Sequence, residues 1–451
     1  MRTTGLLVKP LIFSLLVVLL HADSAHAYVI ADTVGDGSGE PLHWDTSEPV
    51  PFRFHFRGSD ELEEFTLHRL TRASFQTWAD VGVARFSFEE GRIFTGPAAH
   101  HGGPTEVDGQ SAIFFIEANW PFAGEVIALT SVSFAADGEI LDADIAFNGA
   151  DHVFTTVETD GAKDFLSITT HEVGHFLGLG HSADTEATMF AEYEDGQTFL
   201  RDLNPDDEAG VQDLYPCNAE PCRGVVVWED RKGCDAGTSG GGAGAALLFL
   251  ALGGGLIRRR RSAGGAALAA GLVALVLMVP APATSTLVEE LPIEALAADA
   301  DRIVRATVET SVAAFDGRTV STRVTLTVAE DWAGSGNDTI EVVVPGGVLN
   351  EPVEVIGADG LPLHKPLAGT LVFGSPRLSV GDDIVVLIDG GAPGEGTSAV
   401  RGLAQGLFLV DEDGGVERDL SGLAFARVQG QEILPVAAPS TLSALRTALS
   451  R

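Results

Sequence analysis

Residues His171–Met189 read HEVGHFLGLGHSADTEATM. His171 and His175 stand four apart, which on a helix puts both imidazoles on one face, one turn apart. Two neutral imidazoles so placed suit one Zn²⁺ ion. Glu172 follows the first of them and points to the side of such an ion, where it can take a proton from water. Gly178 and Gly180 are poor helix residues, so the spacing predicts a helix that breaks near Gly178. The chain then swings back and offers His181 as a third ligand. Three protein ligands leave a fourth position open, as a catalytic zinc site requires.

A bare HExxH occurs by chance as a helix with two surface histidines. Here HExxHxxGxxH fixes five positions, and Met189 follows eight residues after His181. On these residues the segment resembles the metzincin metallopeptidases. Ser182 after the third histidine, and the run HFLGLGHS, are similar to the matrixin branch; the astacin branch places Glu there. Met189 matches the Met-turn, a methionine beneath the metal. Ala191 stands where matrixins usually carry Pro, so the wall of the specificity pocket departs from the family pattern. The resemblance implies a zinc-dependent endopeptidase acting on protein or peptide substrates. His171, His175 and His181 would be its zinc ligands and Glu172 its general base.

The chain has 451 residues, enough for two or three domains, and a formal net charge of −36. Phosphates would be repelled, which argues against nucleic acid as a partner. Carboxylates in such number could bind Ca²⁺ or serve solubility alone. The 3 cysteines all fall between positions 217 and 234, so no disulfide framework substitutes for apolar cores.

Residues 1–27 have the layout of a secretory signal peptide: Arg2 and Lys9, an apolar run Leu11–Leu20, and Ala25-His26-Ala27 as a cleavage site. Residues 28–216 read as one α/β (α+β, metzincin-like) catalytic domain, with a twisted sheet, a long helix and the zinc helix. Strands are expected at Val50–Phe56, from Ala84, and at Ala112–Ile116, Ile127–Phe134 and Ile140–Phe147. The spacing of Leu62, Phe65, Leu70, Phe75 and Trp78 predicts a helix over Asp60–Asp80. Asn204 and Pro205 predict a closing helix with an N-cap and Pro at its first position. The order FQTWADVGVARFSF, then DADIAFN, then the zinc helix, is similar to the matrixin catalytic domain. Asp142, Asp144 and Asn148 carry oxygen at a strand end; they read as a solvated face and turn, or as a structural cation site for Ca²⁺.

Residues 217–235 form a cysteine-containing linker, in which Cys217 and Cys222 could pair. Residues 236–257 are uncharged, long enough to span a bilayer, and closed by four arginines at 258–261. Cys234, the span and the arginine cluster resemble the myxobacterial C-terminal sorting segment, which implies a sorting protease and display at the cell surface. Residues 262–288 are a second apolar segment, a return span or an internal signal-like sequence. Together 236–288 predict membrane anchorage with the arginines on the cytoplasmic side. Residues 289–451 read as a small mostly-β domain, a barrel or sandwich, with Asp316-Gly317 as a hairpin turn. The rival to an exported peptidase is a surface adhesin whose peptidase domain is vestigial.

Overall fold

The computed structural model describes residues 27–55, 58–81, 86–93, 105–157, 159, 161–217, 226–228, 286–390, 398–420, 423–427 and 439–450. The N-terminal part is built on β1 (Val50–Phe54), α1 (Glu64–Ala79), β2 (Phe88–Glu90), β3 (Ala112–Ile116), β4 (Val126–Phe134) and β5 (Ile140–Asn148). These strands lie in the order β2-β1-β3-β5-β4, parallel except for β4, which is antiparallel to β5. The parallel strands need crossover connections, and α1 supplies the first.

Helix α1 packs on the sheet because Leu67, Leu70, Phe75 and Trp78 recur on one face. Phe65, expected on that face, is 75% exposed in the first turn instead. Phe75 stacks on Phe52 of β1 at 4.1 Å. Two short strands, β6 (Phe154–Thr155) and β7 (Lys163–Asp164), lead into α2 (Phe165–Phe176), the helix that carries the histidines. The Trp78 indole donates to the Thr170 carbonyl at 2.8 Å, which ties α1 to α2. After β8 (Glu192–Glu194), α3 (Pro205–Leu214) closes this part, with Asn204 as N-cap and Pro at its start, as its sequence predicts. A further strand, β9 (Val226–Trp228), extends the sheet beyond β2.

The C-terminal part begins with β10 (Thr286–Glu289) and α4 (Ile293–Asp299). Strands β11 (Arg302–Phe315) and β12 (Val320–Ala333) form the expected hairpin across Asp316-Gly317. They are followed by β13 (Thr339–Pro345), β14 (Gly347–Val353), β15 (Leu367–Val372), β16 (Asp383–Gly390) and β17 (Ser398–Val400). The order β11-β12-β13-β17-β16 closes through a pairing of β16 with β11, so five strands make a small barrel around Val304, Val324, Leu326 and Val386. Strands β18 (Leu407–Val410) and β19 (Val416–Glu417) extend it; β20 (Leu423–Arg427) and α5 (Leu442–Leu449) follow.

Strands β14, β15, β10 and β20 do not join this barrel. They add to the sheet of the N-terminal part, in the order β8-β20-β10-β4, with β15 also on β4 and β14 beyond it. Residues 289–451, read from sequence as a separate domain, therefore share a sheet with residues 28–216. Residues Thr286–Val288, read as the end of the second apolar segment, are the start of that shared strand. The rest of 229–285, with Cys234, the spans and the arginine cluster, lies outside the described residues, as do residues 1–26. Among the described residues no helix is long and apolar enough to cross a membrane.

Candidate active site

Asp164 opens α2 by accepting a hydrogen bond from the Ser167 amide at 2.8 Å, and Arg201 holds that carboxylate from outside. The helix ends at Phe176. Gly178 follows with φ +96°, and a side chain there would collide with the Leu42 carbonyl. Glycine thus supplies both the left-handed turn and the close approach. The turned-back segment is fixed by residues 29–31: the Gly180 amide donates to the Val29 carbonyl and the Ala31 amide to the Gly178 carbonyl, each at 2.8 Å.

That turn brings His181 to the face of α2 that carries His171 and His175. The ring nitrogens available from the three residues lie within 4.8 Å of one another, and all three side chains are buried. His171 Nδ1 donates to the Thr188 carbonyl at 2.7 Å, and His175 Nδ1 donates to the Leu179 carbonyl at 2.8 Å. A carbonyl only accepts, so the proton of each neutral ring sits on Nδ1 and the Nε2 lone pair is free for a metal. The two Nε2 atoms face each other at 3.0 Å. Two lone pairs at that distance repel unless a cation lies between them.

Burial holds both imidazoles neutral. It pushes the His171 pKa down to about 4, against the Thr188 carbonyl, which raises it. His175 is lowered well below the usual imidazole range by burial and by its neighbour His171. Neutral rings with fixed tautomers and converging lone pairs are compatible with a zinc site. Among the described residues this is the group of three His, Cys, Asp or Glu residues whose ligand atoms converge.

Glu172 is fully buried. The Thr130 hydroxyl of β4 donates to its Oε2 at 2.5 Å, and Oε1 has no hydrogen-bond partner among the described residues. Burial raises its pKa to about 8, against the Thr130 hydroxyl. A carboxyl poised near neutral pH, with one oxygen free beside the histidine cluster, can hold and release a proton.

Met189 packs against α2 at Gly174. It is buried, and its sulfur packs where a side chain on Gly174 of α2 would otherwise sit. Asp207 holds this turn in place: its carboxylate accepts from the amides of Thr188 at 2.7 Å and Met189 at 3.0 Å. Nothing local to Asp207 in the sequence marks this role. Met189→Leu conserves volume, so it should cost under ~1.5 kcal/mol of stability and leave the metal content unchanged. Complete loss of metal, measured by atomic absorption, would mean that Met189 does more than pack.

Tyr193 is buried, with its hydroxyl accepting from the Asp164 amide at 2.8 Å. Asp142, Asp144 and Asn148 do not assemble into one ligand set. The Asp142 carboxylate accepts from the amides of Asp108, Gly109 and Ser111, and Asp144 from that of Ala112. Asn148 turns its amide to the Val126 carbonyl and to Asp151. Buried carboxylates whose oxygens face backbone donors replace the solvated strand face expected from alternation. Cys217 is disulfide-bonded; Cys222 and Cys234 lie outside the described residues.

Comparison with known proteins bears on this part of the chain. The matrixin family model matches residues 43–216. Human matrix metalloproteinase-19 is 32% identical over 159 residues, 34% of this chain and 27% of that protein. Human matrilysin is 45% identical over 60 residues, 13% of this chain and 22% of that protein. Metalloendoproteinase 4-MMP of Arabidopsis thaliana is 29% identical over 174 residues, 38% of this chain and 47% of that protein. The chain thus spans less than half the length of each of these relatives. Residues 43–216 thus match the matrixin family, and the three converging histidines lie within them.

Proposed function

We propose that this chain is a zinc-dependent endopeptidase of proteins, exported from the cytoplasm. The observation that carries the reading is the convergence of His171, His175 and His181 beside the buried, half-satisfied carboxyl of Glu172. When bound, the zinc ion supplies a Lewis acid and lowers the pKa of water toward ~7. The three histidines hold it, and the Thr188 and Leu179 carbonyls orient two of them. Glu172 Oε1 takes the proton of the attacking water and delivers it to the leaving amine, while Thr130 keeps Oε2 fixed. The matrixin relatives are metalloproteinases by name, which supports the same reading.

Export rests on the signal-like residues 1–27, and membrane anchorage with a sorting protease acting near Cys234 on residues 234–261. A Ca²⁺ ion remains compatible with the acidic composition but has no assembled ligand set in support among the described residues. The catalytic reading is tested by incubating the zinc-loaded chain with casein and mapping new termini by mass spectrometry, with chelated protein as blank. Cleavage that chelation stops and zinc restores is expected. Its absence, both in the chain and in the uncovered variants described below, would overturn the reading.

A further inference from the structure

The sheet edge nearest Glu172 is that of β4, because Thr130, in the middle of β4, holds the Glu172 carboxyl. A free edge beside a catalytic carboxyl is where an extended peptide would pair. Here that edge is filled from end to end by the C-terminal part of the same chain. Leu287 and Val288 of β10 lie opposite Ala128 and Val126, and the Glu289 amide donates to the Glu125 carbonyl at 2.7 Å. Gly369 to Val372 of β15 lie opposite Phe134 to Ser131, and the Phe373 amide approaches the Thr130 carbonyl at 3.4 Å. The two strands meet at Thr130, where the Thr286 hydroxyl donates to the Phe373 carbonyl.

The opposite wall is occupied as well. Strand β20 pairs in parallel with β8, and the Phe425 amide donates to the carbonyl of Ala191 at 2.8 Å. Since β20 also pairs with β10, the gap between β4 and β8 is bridged by two strands. Over the histidines sits Phe373, fully buried, its ring stacked on that of His175 at 4.5 Å and 28°. The contact is apolar behind the strands, where Val288, Val372 and Leu423 pack with Val126 and Leu129. Ion pairs run along its rim: Lys365 with Asp137 and Glu139, Arg401 with Glu125, Lys163 with Glu289.

We propose that the C-terminal part of the chain is a built-in inhibitor of the matrixin domain. Strands β10, β15 and β20 take the place of an extended substrate and Phe373 closes the histidine cluster. The proposal rests on the peptidase reading for its consequence and on the sheet pairing for its geometry. The Phe373 carbonyl, the backbone acceptor beside that ring, is tied to Thr286, so this segment fills the cleft without offering that carbonyl for attack.

An equilibrium between covered and open arrangements reduces the affinity of any cleft ligand by the open fraction; at ~1% open the reduction is ~100-fold. The test uses the full chain with Co²⁺ in the histidine site and acetohydroxamate as a small metal-binding probe, followed by visible absorbance. Phe373→Ala removes the ring over His175. Val288→Asp puts a charge into the apolar contact on a different strand. Both should tighten acetohydroxamate binding by ~10-fold or more and raise casein cleavage in the zinc-loaded chain by a similar factor. The unmodified chain needs no variant to decide: binding of the probe as tight as that of a small hydroxamate to open metal sites overturns the cover. Tighter binding in the variants without any casein cleavage would uphold the cover and overturn the peptidase reading. Equal binding and equal cleavage in all three forms would leave the peptidase and remove the inhibitor.

Discussion

Glu172→Gln should lower kcat/KM for peptide cleavage by ~10²–10⁴-fold, the usual worth of a positioned general base, with zinc still bound. Glutamine has the same shape and can keep the hydrogen bond from the Thr130 hydroxyl at 2.5 Å. It cannot take a proton. The histidines are untouched, since their tautomers are set by the Thr188 and Leu179 carbonyls and not by Glu172. Stability should hold or rise, because burial already disfavours the charged carboxylate and raises its pKa to about 8. The measurement is cleavage by zinc-loaded chain in the Phe373→Ala background, where the cleft is open, with metal content determined on the same sample. A Gln variant that cleaves at the parental rate would mean that another group moves the proton.

That residue was legible because its signal is local. An i, i+4 pair of histidines, the intervening glutamate and a glycine that must adopt a positive φ are fixed by helix geometry and backbone sterics over eleven residues. Asn204 and Pro205 at the start of α3 are equally local, and the structure shows both at the expected positions. The Asp316-Gly317 hairpin belongs to the same class.

What the sequence left open is which edges meet. Alternation and β-branched content mark Gly369–Phe373 as a strand but carry no address for its partner. The segment was expected in a self-contained β domain, and it lies on β4 of the peptidase sheet instead. Thr130 and Asp207 were invisible for the same reason: each acts on a residue 42 or 18 positions away. Their roles depend on a sheet register and a turn closure that no short window contains. Phe65 failed differently. It has the helical spacing of a core residue, yet in the first turn of α1 the ring stays in solvent while Leu67 and Leu70 take the buried face.

Removing zinc should end cleavage and destabilise the matrixin domain. An ion present at ~1,000 times its dissociation constant adds ~4 kcal/mol, or ~10 °C in melting temperature for a domain of this size. The pH dependence distinguishes the assigned groups. Protons compete with zinc for imidazole nitrogen, but burial already holds His171 neutral down to about pH 4. Zinc occupancy at fixed free zinc should therefore stay flat from neutral pH to ~5 and fall steeply below that. In the zinc-free chain, His171 has a folded pKa of about 4 against an ordinary value of 6.5. The unfolded chain takes up that proton first, so stability falls as pH drops through this window. Glu172 acts in the opposite sense, with a folded pKa of about 8 against an ordinary 4.5. The folded chain holds a proton that the unfolded chain lacks, so this contribution is lost as pH rises from 4.5 to 8. Above 6.5 only the Glu172 slope remains and below 4.5 only the histidine slope, which places the optimum from these groups between the two. Thermal melts of chelated protein across pH 4–9 should show that maximum, and Glu172→Gln should make the decline on its alkaline side shallower, the remainder coming from buried carboxyls such as Asp108, whose pKa burial raises to about 7. A zinc-free stability that climbs steadily to the alkaline end in the unmodified chain would mean that the Glu172 carboxyl is not held neutral beside the histidines.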